Sequence, residues 1–515
     1  MNTNDHHRPR TSRAVRAARS AVVPLVLLGL GAPASAAPPR PPAIVLLYTT
    51  AETTTSALVV WNTTTASDSL VEYSTRTPIP ADAPRIHVGA EVTVHEVELA
   101  GLTPGTLYHY RVTSCARRGC ASATGSFDTF PSCPDEVPAV SGSWQRASSP
   151  NVGGARAGSN QLLGVAAVSA DEAWAVGWAQ DPAAPPYFRR TLVQHFDGAA
   201  WSIVPSPNRG GDYYNVLHAV SAASAGDVWA VGLSHNGTLP SRTLIEHWDG
   251  VQWTVVPSPS PDTQLNELRA VAALSAGDAW AVGFRGGTRA ETPLETLVLH
   301  WDGSSWSRVA SPNVDGGANQ LFGITALAAD DIWAVGAAGG APLALHWNGS
   351  AWSVVAVPRD AGLRSEKLTG VSGAGGNDVW AVGDGKGVFN NQTFATLRHW
   401  DGTHWTDKVC RAASASNPPD GYEGGGPDAY FTAVSAGAAD DVWAVGVRGS
   451  GPMIHHWDGQ AWTRVTHPRA FPNAAVPWSV AALGGGAAWS VGLEVLVDPS
   501  GSVSPDRTLV YRYVP

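Results

Sequence analysis

The stretch DVWAVGLSHNGTLPSRTLIEHWDGVQWTVVPSPS, Asp227 to Ser260, decides how most of this 515-residue chain is read. Its phrases recur. WAVG begins at Trp174, Trp229, Trp280, Trp333, Trp380 and Trp443, and WSVG begins at Trp489, so successive copies lie 46 to 63 residues apart. Each copy follows an apolar run such as LLGVAAVS and precedes a unit of the form TLxxHWDGxxWxxV. One repeat therefore reads as four short strands, with the DG dipeptide as a tight hairpin turn in which glycine supplies a positive φ. A four-stranded unit repeated at this spacing is the pattern of a β-propeller, and seven copies predict seven blades. The last copy stops at TLVYRYVP without a fourth strand, while SWQRASSPN (Ser143 to Asn151) matches AWSIVPSPN (Ala200 to Asn208) with no partners ahead of it. The orphan strand is expected to complete the seventh blade and close the ring.

Composition supports an all-β reading. Gly (55) and Pro (38) are abundant, Trp reaches 22 and charged residues make up 15%, a balance that breaks helices and suits turn-rich sheets. Residues 1–36 read as a secretory signal: five arginines between Arg8 and Arg19, the apolar run AVVPLVLLGLGA (Ala21 to Ala32), and the small-residue site Ala34-Ser35-Ala36. That run is too short and interrupted to span a bilayer, so the expectation is a secreted, extracellular protein with no membrane span. The formal net charge is −10, and loss of an arginine-rich leader makes the balance more acidic still. With no Lys/Arg cluster, nucleic acid is not an expected partner.

Between 43 and 131 the text changes period. SALVVWNT (Ser56 to Thr63), SLVEYST (Ser69 to Thr75), VTVHEVELAGLTPGTLYHYRVTSC (Val92 to Cys115) and GSFDTF (Gly125 to Phe130) alternate as sandwich strands. Trp61 and the LTPGTLYHYRV phrase, with its tyrosine near the start of the penultimate strand, resemble a fibronectin type III domain, and within that class the sandwich preceding the catalytic domain of purple acid phosphatases. The propeller phrases are similar to tryptophan-rich repeats of secreted bacterial proteins, a resemblance that implies no activity. The domain reading is thus signal 1–36, fibronectin type III-like sandwich 43–131, linker 132–141 and seven-bladed propeller 142–515. Cys115 and Cys120 flank a hairpin and are expected to pair; Cys133 and Cys410 are assigned to each other by elimination.

The repeat architecture accounts for the most conspicuous candidate site residues. His195, His247, His300, His346, His399 and His456 hold one equivalent position in six blades, and an acid (Glu172, Asp227, Asp278, Asp331, Asp378, Asp441) stands two residues before six of the seven repeat tryptophans. A residue needed once per blade serves the blade, so these are read as structural and no metal or cofactor is expected. In WAVG, alternation sets Trp and Val on one face and Ala and Gly on the other, so that large residues of one blade pack on small residues of the next. Function is expected in what does not repeat: the connections after SPN and after WAVG, which open on one face and carry Tyr187, Arg189, Tyr213, Tyr214, Tyr422, Glu423, Asp428, Tyr430 and Phe431. No nucleophile elbow, phosphate loop or zinc-protease motif occurs, the metal cluster of a phosphatase is missing from the propeller, and PRIHV (Pro84 to Val88) lies in the sandwich rather than in a sialidase signature. The reading is a monomeric, non-catalytic binding or adhesion module for a glycan or protein. The alternatives are a hydrolase or lyase with a site at the axial mouth, and a structural envelope protein.

Overall fold

The computed structural model describes residues 41–50, 56–103, 106–117, 119–129, 143–153, 158–180, 188–210, 213–237, 240–287, 293–314, 317–360, 363–387, 393–408, 429–449, 451–465, 474–495 and 505–515. Every regular element within them is a β-strand, and among the described residues no helix is long and apolar enough to cross a membrane. The expected signal and linker, and Cys133 and Cys410, lie outside the described residues.

The N-terminal unit has five antiparallel strands: β1 (Ile44–Thr50), β2 (Ser56–Ser74), β3 (Arg85–Ala100), β4 (Leu107–Ala116) and β5 (Gly119–Asp128). β2 is long enough to pair β1 with its first half, β4 with its second half and β3 along both. The sequence reading split this strand in two, because its polar middle interrupts the alternation; the structure shows a register irregularity there, between Asn62 and Ser69, and no turn. It also left out β1 and the first half of β3. The core gathers Val59, Trp61, Val71, Leu99, Tyr110, Val112 and Phe127. Trp61 donates its indole N–H to Ser114 Oγ (2.8 Å) and stacks on buried His95 at 4.8 Å. Both ring nitrogens of His95 are engaged, by Thr63 Oγ1 (2.9 Å) and Ser69 Oγ (2.7 Å). Burial holds this imidazole below its ordinary pKa, with Asp68 opposing only in part. The tyrosine phrase works as a corner: the Tyr108 hydroxyl accepts the Thr103 backbone N–H at 3.0 Å. Cys115 and Cys120 face each other across the β4–β5 hairpin and form a disulfide, Cα–Cα 4.0 Å.

After β6 (Ser143–Arg146), the propeller begins with β7 (Asn160–Ser169), β8 (Glu172–Gln180), β9 (Arg189–Phe196) and β10 (Trp201–Val204), a four-stranded antiparallel blade. Blade two is β11 (Tyr214–Ser224), β12 (Asp227–His235), β13 (Arg242–Trp248) and β14 (Trp253–Val255). Blades three to six, 265–309, 319–355, 363–407 and 429–464, repeat the plan. Blade seven takes three strands from 474–514 and its outermost strand from β6, with Trp144 opposite Tyr513. The ring is closed by the N-terminal strand, as the orphan phrase predicted. In the hairpin turns between third and fourth strands, glycines such as Gly198, Gly250 and Gly303 have φ of 90° or 91°. The preceding aspartate accepts the next amides; at Asp302 the Ser304 hydroxyl, with the Ser305 and Ser304 amides, holds the carboxyl down to about 2.

Blades adhere through the repeat tryptophans. Trp229 lies against His247 of its own blade (4.2 Å) and against Trp301 (5.0 Å, tilted) and Trp306 (5.2 Å, edge-on) of blade three. Trp174, Trp280, Trp333 and Trp380 repeat this contact with their neighbours. Burying one indole removes roughly 150–250 Å² from water, about 4–6 kcal/mol at ~25 cal/mol per Å². The expected packing of large on small also holds, since Trp174 and Val176 share a cluster with Val228 and Ala230 of the next blade, but the indoles additionally meet one another. Each repeat histidine is fixed by its blade's acid, as in His247–Asp227 (2.6 Å) and His399–Asp378 (2.8 Å). Blade seven lacks the acid, having Ala487 there, and carries Arg512 in place of histidine, its guanidinium 5.2 Å from the Trp489 ring centre.

The residue before each histidine breaks the pattern in two informative blades. Arg398 is buried and paired with Glu366 (2.5 Å) and Asp407 (2.8 Å). Glu246 is fully buried with neither carboxylate oxygen hydrogen-bonded, and burial raises its pKa well above the ordinary value.

Two outcomes follow from these packings. Deleting residues 143–151, or Trp144→Ala alone, should lower the melting temperature and expose a sheet edge, the single change costing about 3–5 kcal/mol; a truncated protein that melts like the parent and stays monodisperse would contradict the closure. Because Glu246 binds its proton more tightly folded than unfolded, its contribution is lost as pH rises above 4.5. Glu246→Gln should therefore flatten the fall in melting temperature above that pH, and an unchanged pH profile would show that the carboxylate finds a partner.

Candidate functional site at the axial mouth

Antiparallel pairing places the turns between first and second and between third and fourth strands at one end of each blade. The connections after SPN and after WAVG open at the other. Inner strands run from that loop end along the propeller axis, where they enclose a cavity of about 530 Å³. Three consecutive residues of each inner strand line it. Two of them barely vary: Gly164, Ala219, Ala270, Gly323, Gly370, Ala433 and Ser479 come first, then Val165, Val220, Val271, Ile324, Val371, Val434 and Val480. The small ring reflects crowding, since a Cβ on Gly164 would lie 2.9 Å from the Ala219 Cα.

The residue just before these two does vary: Leu163, His218, Arg269, Phe322, Thr369, Thr432 and Trp478. In every blade it is the extra residue of a β-bulge, skipped in the register between the inner and second strands. A bulge re-aims one side chain out of the ladder, and here it aims seven into the axis. The bulge also explains the glycine of WAVG. A Cβ on Gly177, Gly232, Gly283, Gly336, Gly383, Gly446 or Gly492 would collide with the backbone carbonyl oxygen displaced by the bulge across from it.

Around this ring, at the loop end, titratable groups gather in two sets. Glu267 Oε1 lies 3.2 Å from His218 Nε2 and 2.7 Å from an Arg269 guanidinium nitrogen. Burial works to raise the Glu267 carboxyl, yet the His218 bond and the Arg269 charge outweigh it, leaving it below the ordinary range. Burial pushes the His218 imidazole down; the Glu267 bond opposes this and the charges of Arg269 and Arg189 add to it. His218 is thus neutral at pH 7. Across the cavity Lys367 pairs with Asp384 at 3.2 Å, directly opposite it in the ladder. Burial, then the Asp384 charge, raises the Tyr430 hydroxyl. The two bulge threonines are spent on structure: Thr369 Oγ1 donates to Phe431 O (3.0 Å) and Thr432 Oγ1 to Pro477 O (2.7 Å), each in the next blade.

The loop residues expected to bind are partly accounted for. Arg189 begins a strand; its guanidinium sits 3.8 Å from the Trp178 ring centre and 4.7 Å from that of Tyr214, and donates to the Tyr214 hydroxyl (2.5 Å). Tyr214 stacks on His235 (4.4 Å), and Tyr213 on Phe188 (4.8 Å). This aromatic and cationic group joins blades one and two through a single parallel bridge, Tyr214 to Arg189. Tyr430 and Phe431, expected on the long connection, instead belong to the inner strand Ala429–Ala438, Phe431 in the core and Tyr430 on the cavity. The alternation that marks a strand was masked there by the Gly- and Pro-rich run before it. Tyr187, Tyr422, Glu423 and Asp428 lie outside the described residues. Sequence reasoning missed His218, Glu267, Arg269, Lys367 and Trp478, although aligning the seven apolar runs exposes one position that refuses to repeat. Among the described residues no three His, Cys, Asp or Glu side chains gather as a metal site.

Residues 41–129 match the family model of the purple acid phosphatase N-terminal domain. No curated protein matches the chain. Solved structures similar to it include the polysaccharide lyase Uly1 (9% identity, 67% of this chain and 88% of that one, TM-score 0.40). A GH74 xyloglucanase from Xanthomonas campestris aligns over 88% of this chain and 71% of its own at 14% identity, TM-score 0.25. Alignments this loose leave the architecture resting on the strand pairing itself.

If the WAVG glycine exists for the bulge, Gly283→Ala should destabilise the protein by about 3 kcal/mol through overpacking. The neighbouring Ala281→Gly in the same strand should cost only about 1 kcal/mol beyond its lost methyl. Equal melting temperatures for Gly283→Ala and the parent would separate the glycine from the bulge.

Proposed function

We propose that the chain is an exported, non-catalytic binding protein whose propeller takes its ligand at the axial mouth on the loop face, and that this ligand is a glycan. One observation carries the reading. In a scaffold that repeats its tryptophans, histidines and glycines blade after blade, the variable position is the bulge residue aimed into the channel. Ring faces (Phe322, Trp478, Tyr430) beside polar and charged groups (His218, Arg269, Lys367) suit a sugar, which offers apolar C–H faces and polar edges together. The carboxylates do not converge: Glu267 and Asp384 are each held by cations of their own. That favours binding over paired acid/base chemistry.

A second reading, a hydrolase or lyase at the same mouth, draws support from the neutral imidazole of His218 beside Glu267, a group able to accept a proton at pH 7. Glycan-array screening of the secreted protein tests both. Binding that is lost in Trp478→Ala, with an unchanged melting temperature, supports the mouth. Binding untouched by Trp478→Ala and by Arg269→Gln refutes it. Release of new reducing ends from a bound glycan, abolished by His218→Gln, would replace the binding reading with the enzymatic one.

A further inference from the structure

In both ion pairs at the mouth the cation is the exposed partner. The Arg269 side chain is 37% exposed against 11% for Glu267, and the Lys367 side chain 46% against 14% for Asp384. Arg269, Lys367 and Asp384 line the cavity. Each carboxylate is the more buried member of its pair, so the guanidinium and ammonium groups present N–H donors to whatever enters.

Charge points in the same direction. The protein as a whole is acidic, with a formal net charge of −10. At the mouth the balance reverses, with Arg189, Arg269 and Lys367 standing against Glu267 and Asp384. Arg189 is held by the π faces of Trp178 and Tyr214 rather than by a carboxylate, and its charge reaches His218 on the cavity wall. A concave site with an excess of cations, in a protein of net negative charge, draws in anions.

We infer that the glycan bound at the axial mouth is anionic, carrying a carboxylate or sulfate that Arg269 and Lys367 receive while Arg189 adds to the surrounding positive field. This rests on the mouth being the binding site. A guanidinium donates in fixed directions to such oxygens, and a charge-assisted bond in a partly dry cavity is stronger than one to a neutral hydroxyl.

The test is calorimetric titration of the full-length secreted protein with four probes of equal length: oligogalacturonate, its methyl ester, a neutral cello-oligosaccharide and a sulfated one. The inference expects oligogalacturonate or the sulfated probe to bind at least about tenfold more tightly than its uncharged counterpart, with affinity falling as salt rises. Preference between those two identifies the anion as carboxylate or sulfate. Lys367→Met, at an exposed position, should weaken binding of the acidic probe several-fold. Because Arg269→Gln alone strands Glu267, the double variant Glu267→Gln with Arg269→Gln is the one to measure, and at least about a tenfold loss is expected. Equal affinity for charged and uncharged probes, both abolished by Trp478→Ala, would overturn the anion while leaving the mouth as the site. Probe binding unaffected by Trp478→Ala and by the double variant would instead overturn the mouth itself.

Discussion

The second-strand tryptophan of each blade completes its burial on the blade that follows. Trp229 is covered on one side by His247 of its own sheet and on the other by Trp301 and Trp306 of blade three, so the apolar surface that stabilises one blade is supplied by the next. An isolated four-stranded unit of this sequence leaves its largest side chains half wet, which is the physical reason for a closed ring. The final contact comes from the other end of the propeller: Trp144 packs edge-on against Trp443 at 5.2 Å and tilted on Tyr513 at 5.5 Å. The histidines belong to the same arrangement. Bonded to a carboxylate and laid on an indole, each orients the tryptophan it touches, and in blade seven the loss of the acid coincides with replacement of the histidine by Arg512.

That stack leaves the axis to a different set of rules. Where inner strands crowd together, residues must be small, and a bulge in each strand relieves the ladder by turning one side chain inward. The glycine of WAVG makes room for the carbonyl that the bulge displaces. Given glycine there, the bulge residue itself is released from the repeat, and the chain has used that freedom to place Leu, His, Arg, Phe, Thr, Thr and Trp around one channel. The repeating residues and the variable ones are thus neighbours along the same strand.

Electrostatics then sorts the mouth. Glu267 is kept ionised against its burial by His218 and Arg269, while His218 is kept neutral by that burial and by nearby guanidinium groups. Carboxylates bound by their own cations are occupied and the more buried partners, whereas the Arg269 and Lys367 side chains are the exposed ones. The same low-dielectric logic acts at Glu246, whose buried carboxylate oxygens have no hydrogen-bond partner and whose pKa burial raises.

Period, spacing and the mismatched ends determined the architecture from sequence alone, because each is a local signal repeated seven times: four strands per repeat, the DG turns, and an orphan strand whose only free partner was the last blade. The sandwich with its tyrosine phrase and the Cys115–Cys120 hairpin were legible for the same reason. Position in three dimensions was not. Tyr430 reads as part of a Gly- and Pro-rich loop, yet it stands on an inner strand facing the axis, and Arg189 reads as a free loop cation, yet it is sandwiched between Trp178 and Tyr214. His218, Glu267 and Arg269 come from two neighbouring blades, and Lys367 from a third, farther round the ring. A bulge that costs one residue of register in each inner strand brings them to one mouth, because closure of the ring makes positions roughly fifty residues apart into neighbours, a proximity that no window of sequence contains.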